Sequence, residues 1–329
     1  MATRKEPTVV IWIIRILVAA LFIFSGFVKV NDVVGFANKL DKYWYVFGME
    51  WMLDYSVAMA FVVSVVETIV GLFLLFGILP RFTTTLLLLM IIFFTFLTGW
   101  AAITKSIDDC GCFGAAFTIP PWISFMKDVV LLALIGVVFI YKDNVVPMFK
   151  KRAIMSSLAI LSMLGTIGFA YYTTRYLPVV DFRPCRVGNS FITATSFDPN
   201  TGEEPLHGYI PMENMCQENE FEGAALLVFW KKMENVSAER MQTTAGLLNS
   251  LEGDVKRFGL TNTGQAQIKK LQEEYGLDFC ITEQDLDMLK TCIRSNPGFM
   301  LVKDGIILAK WPITAPPTRE EVLTLMETN

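Results

Sequence analysis

Histidine is all but missing: the chain has one, His207, in 329 residues. A multi-histidine metal centre is thereby excluded, and a Ser-His-Asp hydrolase has a single candidate base, which sits in a polar stretch that reads as surface. Cations are not in excess either. The 28 Lys+Arg stand against 32 Asp+Glu, a net charge of −4, and without a basic stripe nucleic acid is not an expected partner. Charge of either sign is scarce, at 18% of residues, where soluble domains carry about 25%. Internal repeats and low-complexity runs are absent as well. The chain is filled instead by apolar residues, 53% of the total with 26 Phe among them, and its mean hydropathy is +0.47. Such a composition excludes an ordinary soluble domain and makes the lipid bilayer a partner.

Five apolar stretches, Thr8–Val28, Val57–Leu79, Phe82–Ile103, Trp122–Tyr141 and Ala153–Tyr172, have the roughly 20 residues that a helix needs to cross a membrane. The first contains Arg15 and is longer than the apolar core of a cleaved signal peptide, so it reads as a retained helix. Gly77-Ile78-Leu79-Pro80-Arg81 reads as the turn between spans two and three. Orientation follows from Lys and Arg in short loops. With the N-terminus in the cytoplasm, Arg4, Lys5, Arg81, Lys142, Lys150, Lys151 and Arg152 lie inside, and the outer loops hold Lys39, Lys42 and Lys105 among acidic neighbours. The expectation is an inner- or plasma-membrane protein whose C-terminal domain is extracytoplasmic, periplasmic in a Gram-negative cell. Its expected divisions are a four-span domain over 1–150, a fifth span over 151–175, an extracytoplasmic linker over 176–222 and a soluble domain over 223–329.

Arg15 and Glu67 stand inside otherwise apolar spans, where a charge costs at least ~2.5–3.5 kcal/mol on insertion scales and therefore pairs or lines a cavity. Arg15 lies about 10 Å and Glu67 about 18 Å from the inner ends of their spans at ~1.5 Å per residue, an offset that a long arginine covers. A structural Arg15–Glu67 ion pair is expected, with a proton- or quinol-binding carboxylate at Glu67 as the sharper alternative. Lys29 and Lys127 lie near outer ends, where snorkelling accounts for them. Trp44, Tyr45, Trp51 and Trp100 near helix ends fit an interfacial aromatic belt.

Between spans three and four runs Asp108-Asp109-Cys110-Gly111-Cys112-Phe113-Gly114. Two cysteines one glycine apart can close a strained small-ring disulfide, share a metal, or stay a thiol pair. Strained rings sit at oxidising potentials and exchange readily, which suits redox work, and a purely structural bridge remains the plainer alternative. A metal would need two more ligands, and no Cys or His lies nearby in sequence, so no metal site is assigned.

These residues carry a resemblance. Arg15, Ser25-Gly26-Phe27-Val28-Lys29, Glu67 with Gly71, and Asp109-Cys110-Gly111-Cys112-Phe113-Gly114 resemble the DoxX-like and methylamine-utilisation MauE membrane proteins over about Ile11–Tyr141. The resemblance implies a four-helix bundle, related in outline to vitamin K epoxide reductase-like folds. It also implies a role in thiol–disulfide traffic or in maturing disulfide-containing proteins outside the cytoplasm.

The C-terminal region reads as alternating strands and helices: strand Ala224–Trp230, helix Ala238–Leu251 with Ser237 as N-cap, strand Val255–Leu260, helix Gln265–Tyr275, strand Leu277–Ile281 and helix Glu283–Arg294. A hairpin about Asp304-Gly305 and a helix Thr318–Met326 follow. This is the order of a thioredoxin fold, and Ser295-Asn296-Pro297-Gly298 resembles its cis-proline loop. The dithiol is absent, because Lys231-Lys232-Met233-Glu234-Asn235-Val236 stands where Cys-x-x-Cys would open the helix. The remaining cysteines, Cys185, Cys216, Cys280 and Cys292, read as extracytoplasmic disulfides or as buried thiols, and locality suggests pairing 185 with 216 and 280 with 292. Asn235-Val236-Ser237 matches a glycosylation sequon.

The fold class expected is an α-helical membrane bundle, four DoxX/MauE-like spans plus a fifth, followed by an α/β thioredoxin-like domain. The expected function is an integral membrane thiol–disulfide protein in which Cys110 and Cys112 cycle, the tail recruits an extracytoplasmic thiol or disulfide partner, and electrons pass to a quinone with Glu67 handling a proton. The rival is a non-enzymatic assembly factor or scaffold whose tail docks a client. A solute transporter is disfavoured by five spans without an internal repeat.

Overall fold

The computed structural model describes residues 9–107, 110–114, 119–191 and 223–328, and the chain divides into two compact units, Met1–Thr174 and Arg175–Asn329.

The first unit contains helices α1 (Val9–Asn31), α2 (Val33–Val46), α3 (Ser56–Phe76), α4 (Pro80–Thr104), α5 (Pro121–Ile140) and α6 (Arg152–Arg175, whose last residue opens the second unit). Five of these, all but α2, are long and apolar enough to cross a membrane. Helix α2 fills what reads in sequence as a loop. Asp32 starts it, its Oδ1 accepting the Gly35 N–H at 2.8 Å, and Val33, Phe36, Ala37 and Tyr43 face inward. Helix α3 ends at Gly77, whose left-handed φ of 71° lets Ile78 N–H reach Phe73 O at 2.9 Å, the αL termination that glycine favours. Pro80 then opens α4 at a position where its missing N–H costs nothing. Val18, Ala19, Phe22, Leu74, Leu87 and Ile135 form the centre of the bundle.

Helices α1 and α3 touch backbone to backbone. A Cβ on Gly26 would fall 2.7 Å from Thr68 N, and one on Gly71 would fall 2.9 Å from Ile23 N. Small residues permit such approach in helices whose apolar surface gains nothing by leaving lipid.

The second unit is a five-stranded sheet in the order β3-β2-β1-β4-β5, with β1 (Ala224–Trp230), β2 (Lys256–Thr261), β3 (Cys280–Glu283), β4 (Gly298–Lys303) and β5 (Ile306–Pro312). Strands β1, β2 and β3 are parallel, whereas β4 runs antiparallel to β1, and β5 antiparallel to β4. Strand β1 is central and buried from Ala225 to Trp230, as a strand covered on both faces must be. Helices α7 (Ala238–Ser250), α8 (Gln265–Tyr275), α9 (Leu286–Cys292) and α10 (Arg319–Thr328) complete the unit. Asp304 and Gly305 have φ of 48° and 80°, the pair of left-handed residues that a two-residue hairpin requires. The Asn296–Pro297 peptide bond is cis.

Three sequence expectations are adjusted here. Helix α9 begins at Leu286, three residues later than expected, because the Asp285 carboxylate caps it by accepting from Asp287 N and Met288 N at 2.9 and 3.0 Å. Ser237 stands at the α7 N-cap but makes no side-chain cap bond. Part of the expected linker belongs to the sheet, since Ser190 bridges Ile306 and Gly188 N donates to Ile307 O at 2.8 Å.

The cysteine pairing also differs. Cys185 is bonded to Cys292 across 107 residues, which overturns pairing by locality. The segment around Cys185 runs beside β5, and Cys185 and Cys292 are both fully buried in the same apolar cluster. Cys280 is disulfide-bonded too, so it is not the partner of Cys292; Cys216 and His207 lie outside the described residues.

Candidate functional site

The site stands where the C-terminal ends of α1 and α4, the N-terminal end of α5 and the middle of α3 meet the turn Cys110–Gly114. Gly111 and Gly114 make that turn. Both have positive φ, 67° and 57°, and Gly114 N donates to Gly111 O at 3.0 Å. A Cβ on Gly111 would press on the Lys39 side chain at 3.0 Å, so this glycine serves both conformation and packing. Two side chains hold the turn by its carbonyls: Tyr43 OH donates to Cys110 O at 3.3 Å, and Ser25 Oγ donates to Cys112 O at 2.8 Å.

Behind the turn lie two lysine–carboxylate pairs. Lys29 Nζ donates to Glu67 Oε2 at 2.8 Å, to Oε1 at 3.0 Å and to Ser25 Oγ at 3.0 Å. The Lys29 and Glu67 side chains are only 4% and 3% exposed, and the ammonium also faces the rings of Phe36 and Phe94 at 5.3 Å. In the second pair, Lys127 Nζ is 2.8 Å from Asp128 Oδ1, and Thr98 Oγ1 donates to Asp128 Oδ2 at 3.0 Å. Lys127 Nζ also stands 5.2 Å from the centre of the Phe113 ring. Both pairs line a cavity of about 420 Å³. Leu21, Phe94, Leu97 and Leu131 are among its apolar walls, and Lys29, Glu67, Lys127, Asp128, Cys110 and Cys112 all line it.

Cys110 and Cys112 are both thiols, Cys110 buried and Cys112 half-buried. Burial pushes the Cys112 thiol above its ordinary range; Lys127 and Lys29 oppose that rise, and Asp128 adds to it.

The expected Arg15–Glu67 pair is not formed. Arg15 is 1% exposed and donates from Nε to Leu74 O at 2.8 Å, from Nη2 to Leu75 O at 2.7 Å and from Nη1 to Val146 O at 2.8 Å, while its guanidinium lies 4.5 Å from the Trp12 ring. The reason is register. Gly26 faces Thr68 and Gly71 faces Ile23, so antiparallel packing sets Glu67 beside Ser25 and Lys29. Arg15 meets the end of α3, where unpaired carbonyls and the negative pole of the helix dipole attract a cation. Lys29 is accordingly no snorkelling residue, and Lys127 has a carboxylate partner at 2.8 Å.

Asp128 and Thr98 are the site residues that sequence reasoning missed. Asp128 meets the criterion that singles out Arg15 and Glu67, a charge within an apolar span; its place beside Lys127 near a helix end disguised it. Thr98 gives no signal in sequence at all.

With this geometry in place, the comparison with known proteins is specific. Residues 7–141 match the family model described as Methylamine utilisation protein MauE. The MauE match thus spans α1 to α5 and every residue of the cavity site, and it stops short of α6 and the sheet unit. Neither the curated proteins nor the solved structures include a match to the chain.

Proposed function

We propose that the chain is an integral membrane thiol–disulfide oxidoreductase in which Cys110 and Cys112 cycle between dithiol and disulfide outside the cytoplasm, in the maturation of disulfide-containing proteins. One observation carries this reading: the Cys110-Gly111-Cys112 turn lines a largely apolar cavity whose polar lining includes two lysine–carboxylate pairs, one of them sealed from solvent. Oxidation of a client converts its two thiols to a disulfide as the Cys110–Cys112 disulfide becomes two thiols, with two electrons and two protons passing to the pair. The MauE match supports a place in machinery of the methylamine-utilisation kind.

Regeneration needs an acceptor of two electrons and two protons, which a bilayer quinone supplies when bound. The residues present fit such a group. The cavity, at about 420 Å³, is within the size range of small-molecule sites, its walls are aromatic and aliphatic, and Lys127 supplies a donor at its lining. Glu67, which lines the cavity, is the group proposed to handle a proton, and its partner Lys29 also donates to Ser25, the residue that holds the Cys112 carbonyl.

The sheet unit reads as a thioredoxin-like module without a dithiol, which presents or recruits the client. Its order supports this, and Lys231 N, where the dithiol would begin, donates to Asn296 Oδ1 at 3.0 Å beside the cis-proline. A second reading, a non-enzymatic assembly factor with a structural turn, draws on the bonds from Tyr43 and Ser25 that hold the turn fixed.

The test is the redox state of Cys110 and Cys112 in intact cells, followed by thiol labelling with an impermeant reagent and peptide mass spectrometry. Accessibility from outside, with a shift between states as oxidant supply changes, is expected. A pair locked in one state under every condition overturns the redox reading in favour of the assembly factor. The quinone step falls if Glu67→Gln membranes supplied with quinone keep full thiol-oxidising activity.

A further inference from the structure

The two thiols of the site stand in different surroundings. Cys110 is 7% exposed, and its carbonyl is fixed by Tyr43. Cys112 is more open, adjoins Phe113, whose ring carries Lys127 on its face, and shares the cavity with both lysines. Lys127 is not loose: Asp128 holds its ammonium, and Thr98 of α4 holds Asp128 from the other side. Ser124, one turn before Asp128 on α5, is 1% exposed, and its hydroxyl faces Cys112, where it favours the thiolate. An anchored cation and a buried hydroxyl therefore act on one sulfur.

Building on the redox reading above, we propose that Cys112 is the cysteine that carries the thiolate during exchange, and that Lys127, held by Asp128 and Thr98, is the positioning residue that stabilises it.

The step balances as simple exchange. When a client thiolate bonds to Cys110 Sγ, the Cys110–Cys112 bond breaks and its electron pair stays on Cys112. In the opposite direction the Cys112 thiolate is the attacking group. One thiolate is consumed and one formed each way, so no further reactant enters, and the same cation serves both directions. The charged groups that face Cys112 are Lys127 and Asp128 from α5 and Lys29 from α1, with Glu67 of α3 beyond Lys29. From α2, Lys39 packs on the turn at Gly111. Burial raises the Cys112 thiol and Lys127 is the strongest charge opposing that rise, so loss of Lys127 moves the thiol further up.

The experiment follows the rate of Cys112 alkylation by iodoacetamide against pH in the full-length protein in detergent. Mass spectrometry reads the Cys112 and Cys110 peptides separately. Lys127→Met is expected to slow Cys112 alkylation at pH 8 about tenfold, its pH profile moving up by about one unit, while Lys127→Arg restores the profile and Cys110 is little changed. Should Lys127→Met fold poorly, Lys127→Gln and Thr98→Val give the same comparison, the latter loosening Asp128 without touching the lysine. An unmoved Cys112 profile in folded variants, or equal shifts at both cysteines, overturns the proposal. The redox reading is judged separately: a shifted profile with a pair that never oxidises in cells sinks that reading alone, and a cycling pair with an unshifted profile sinks this one alone.

Discussion

Lys29 and Glu67 show how a buried charge is tolerated at the level of a single residue. Each is nearly sealed from solvent and each is the other's main partner, so removing one leaves the other charged and unpaired. Breaking a buried pair from one side costs about 3–5 kcal/mol, whereas replacing both partners by neutral groups is often nearly neutral. Lys29→Met alone is therefore expected to lower the unfolding temperature in detergent sharply, and Lys29→Met with Glu67→Gln to recover most of the loss. A double variant as unstable as the single one would show that the pair is not the reason for the loss. In the sheet unit, Asp181 accepts from Arg183 Nε at 2.7 Å and from Lys310 Nζ at 2.7 Å. Burial alone would raise its carboxyl, but the Arg183 and Lys310 charges outweigh burial and hold it below the usual range. Burial and the neighbouring Arg183 push Lys310 down to about 8. Asp181→Asn leaves two buried cations without a counter-charge. Because Lys310 sheds its proton as pH rises through about 8, less charge is then left uncompensated, so the stability deficit of Asp181→Asn is expected to be larger at pH 6 than at pH 9. Thermal unfolding at the two pH values checks this, and an equal deficit at both would remove Lys310 from the account.

Helix packing decides which of these residues meet. The spans, the α3–α4 turn and the strand–helix alternation were legible because hydrophobic runs, Gly77-Ile78-Leu79-Pro80 and Asp304-Gly305 are local signals. The partner of Glu67 was not legible, because it depends on how α1 slides along α3, and that register is set by contacts at Gly26 and Gly71 that no spacing within one helix encodes. The disulfide was hidden for the same reason: Cys185 meets Cys292 only after the sheet has formed beneath both. Gly26→Ala tests the register. The new methyl must displace Thr68 backbone, and overpacking of this kind costs about 1–3 kcal/mol. It is expected to lower stability and to part Lys29 from Glu67, whereas Gly136→Ala on α5, where a Cβ meets nothing within 4 Å, is expected to leave both unchanged. Equal effects of the two substitutions would mean that close approach of α1 and α3 is not what sets the pair. The Cys185–Cys292 bridge acts on a longer reach, closing a loop of 107 residues, so its loss by Cys292→Ala should cost about 2–5 kcal/mol, read as faster proteolysis of the sheet unit. Unchanged proteolysis would make the bridge ornamental.

For the whole molecule, we infer the membrane orientation from a requirement of each unit. The sheet unit holds a disulfide between Cys185 and Cys292 and a further disulfide-bonded cysteine at 280, and such bonds persist in oxidising compartments. The membrane unit has Arg81 in the first turn of α4, Lys142 just after α5, Lys150 and Lys151 just before α6 and Arg152 at its start, and short connections rich in Lys and Arg stay on the cytoplasmic side. In the orientation we propose, with the Lys- and Arg-rich end cytoplasmic, five spanning helices carry the chain to the other side, and the disulfides independently support an extracytoplasmic sheet unit. The Cys110–Gly114 turn, between α4 and α5, lies at the opposite end of its helices from Arg81 and Lys142, and in the proposed orientation it opens on the extracytoplasmic side. Orientation is thus the condition on which any thiol exchange between them rests. Protease added to spheroplasts with an intact inner membrane is expected to remove the sheet unit and leave a fragment ending in α6, while a cytoplasmic marker protein stays whole. If the sheet unit survives until the membrane is opened with detergent, the orientation is reversed, the Cys110–Gly114 turn faces a reducing compartment, and the thiol-oxidising reading fails with it.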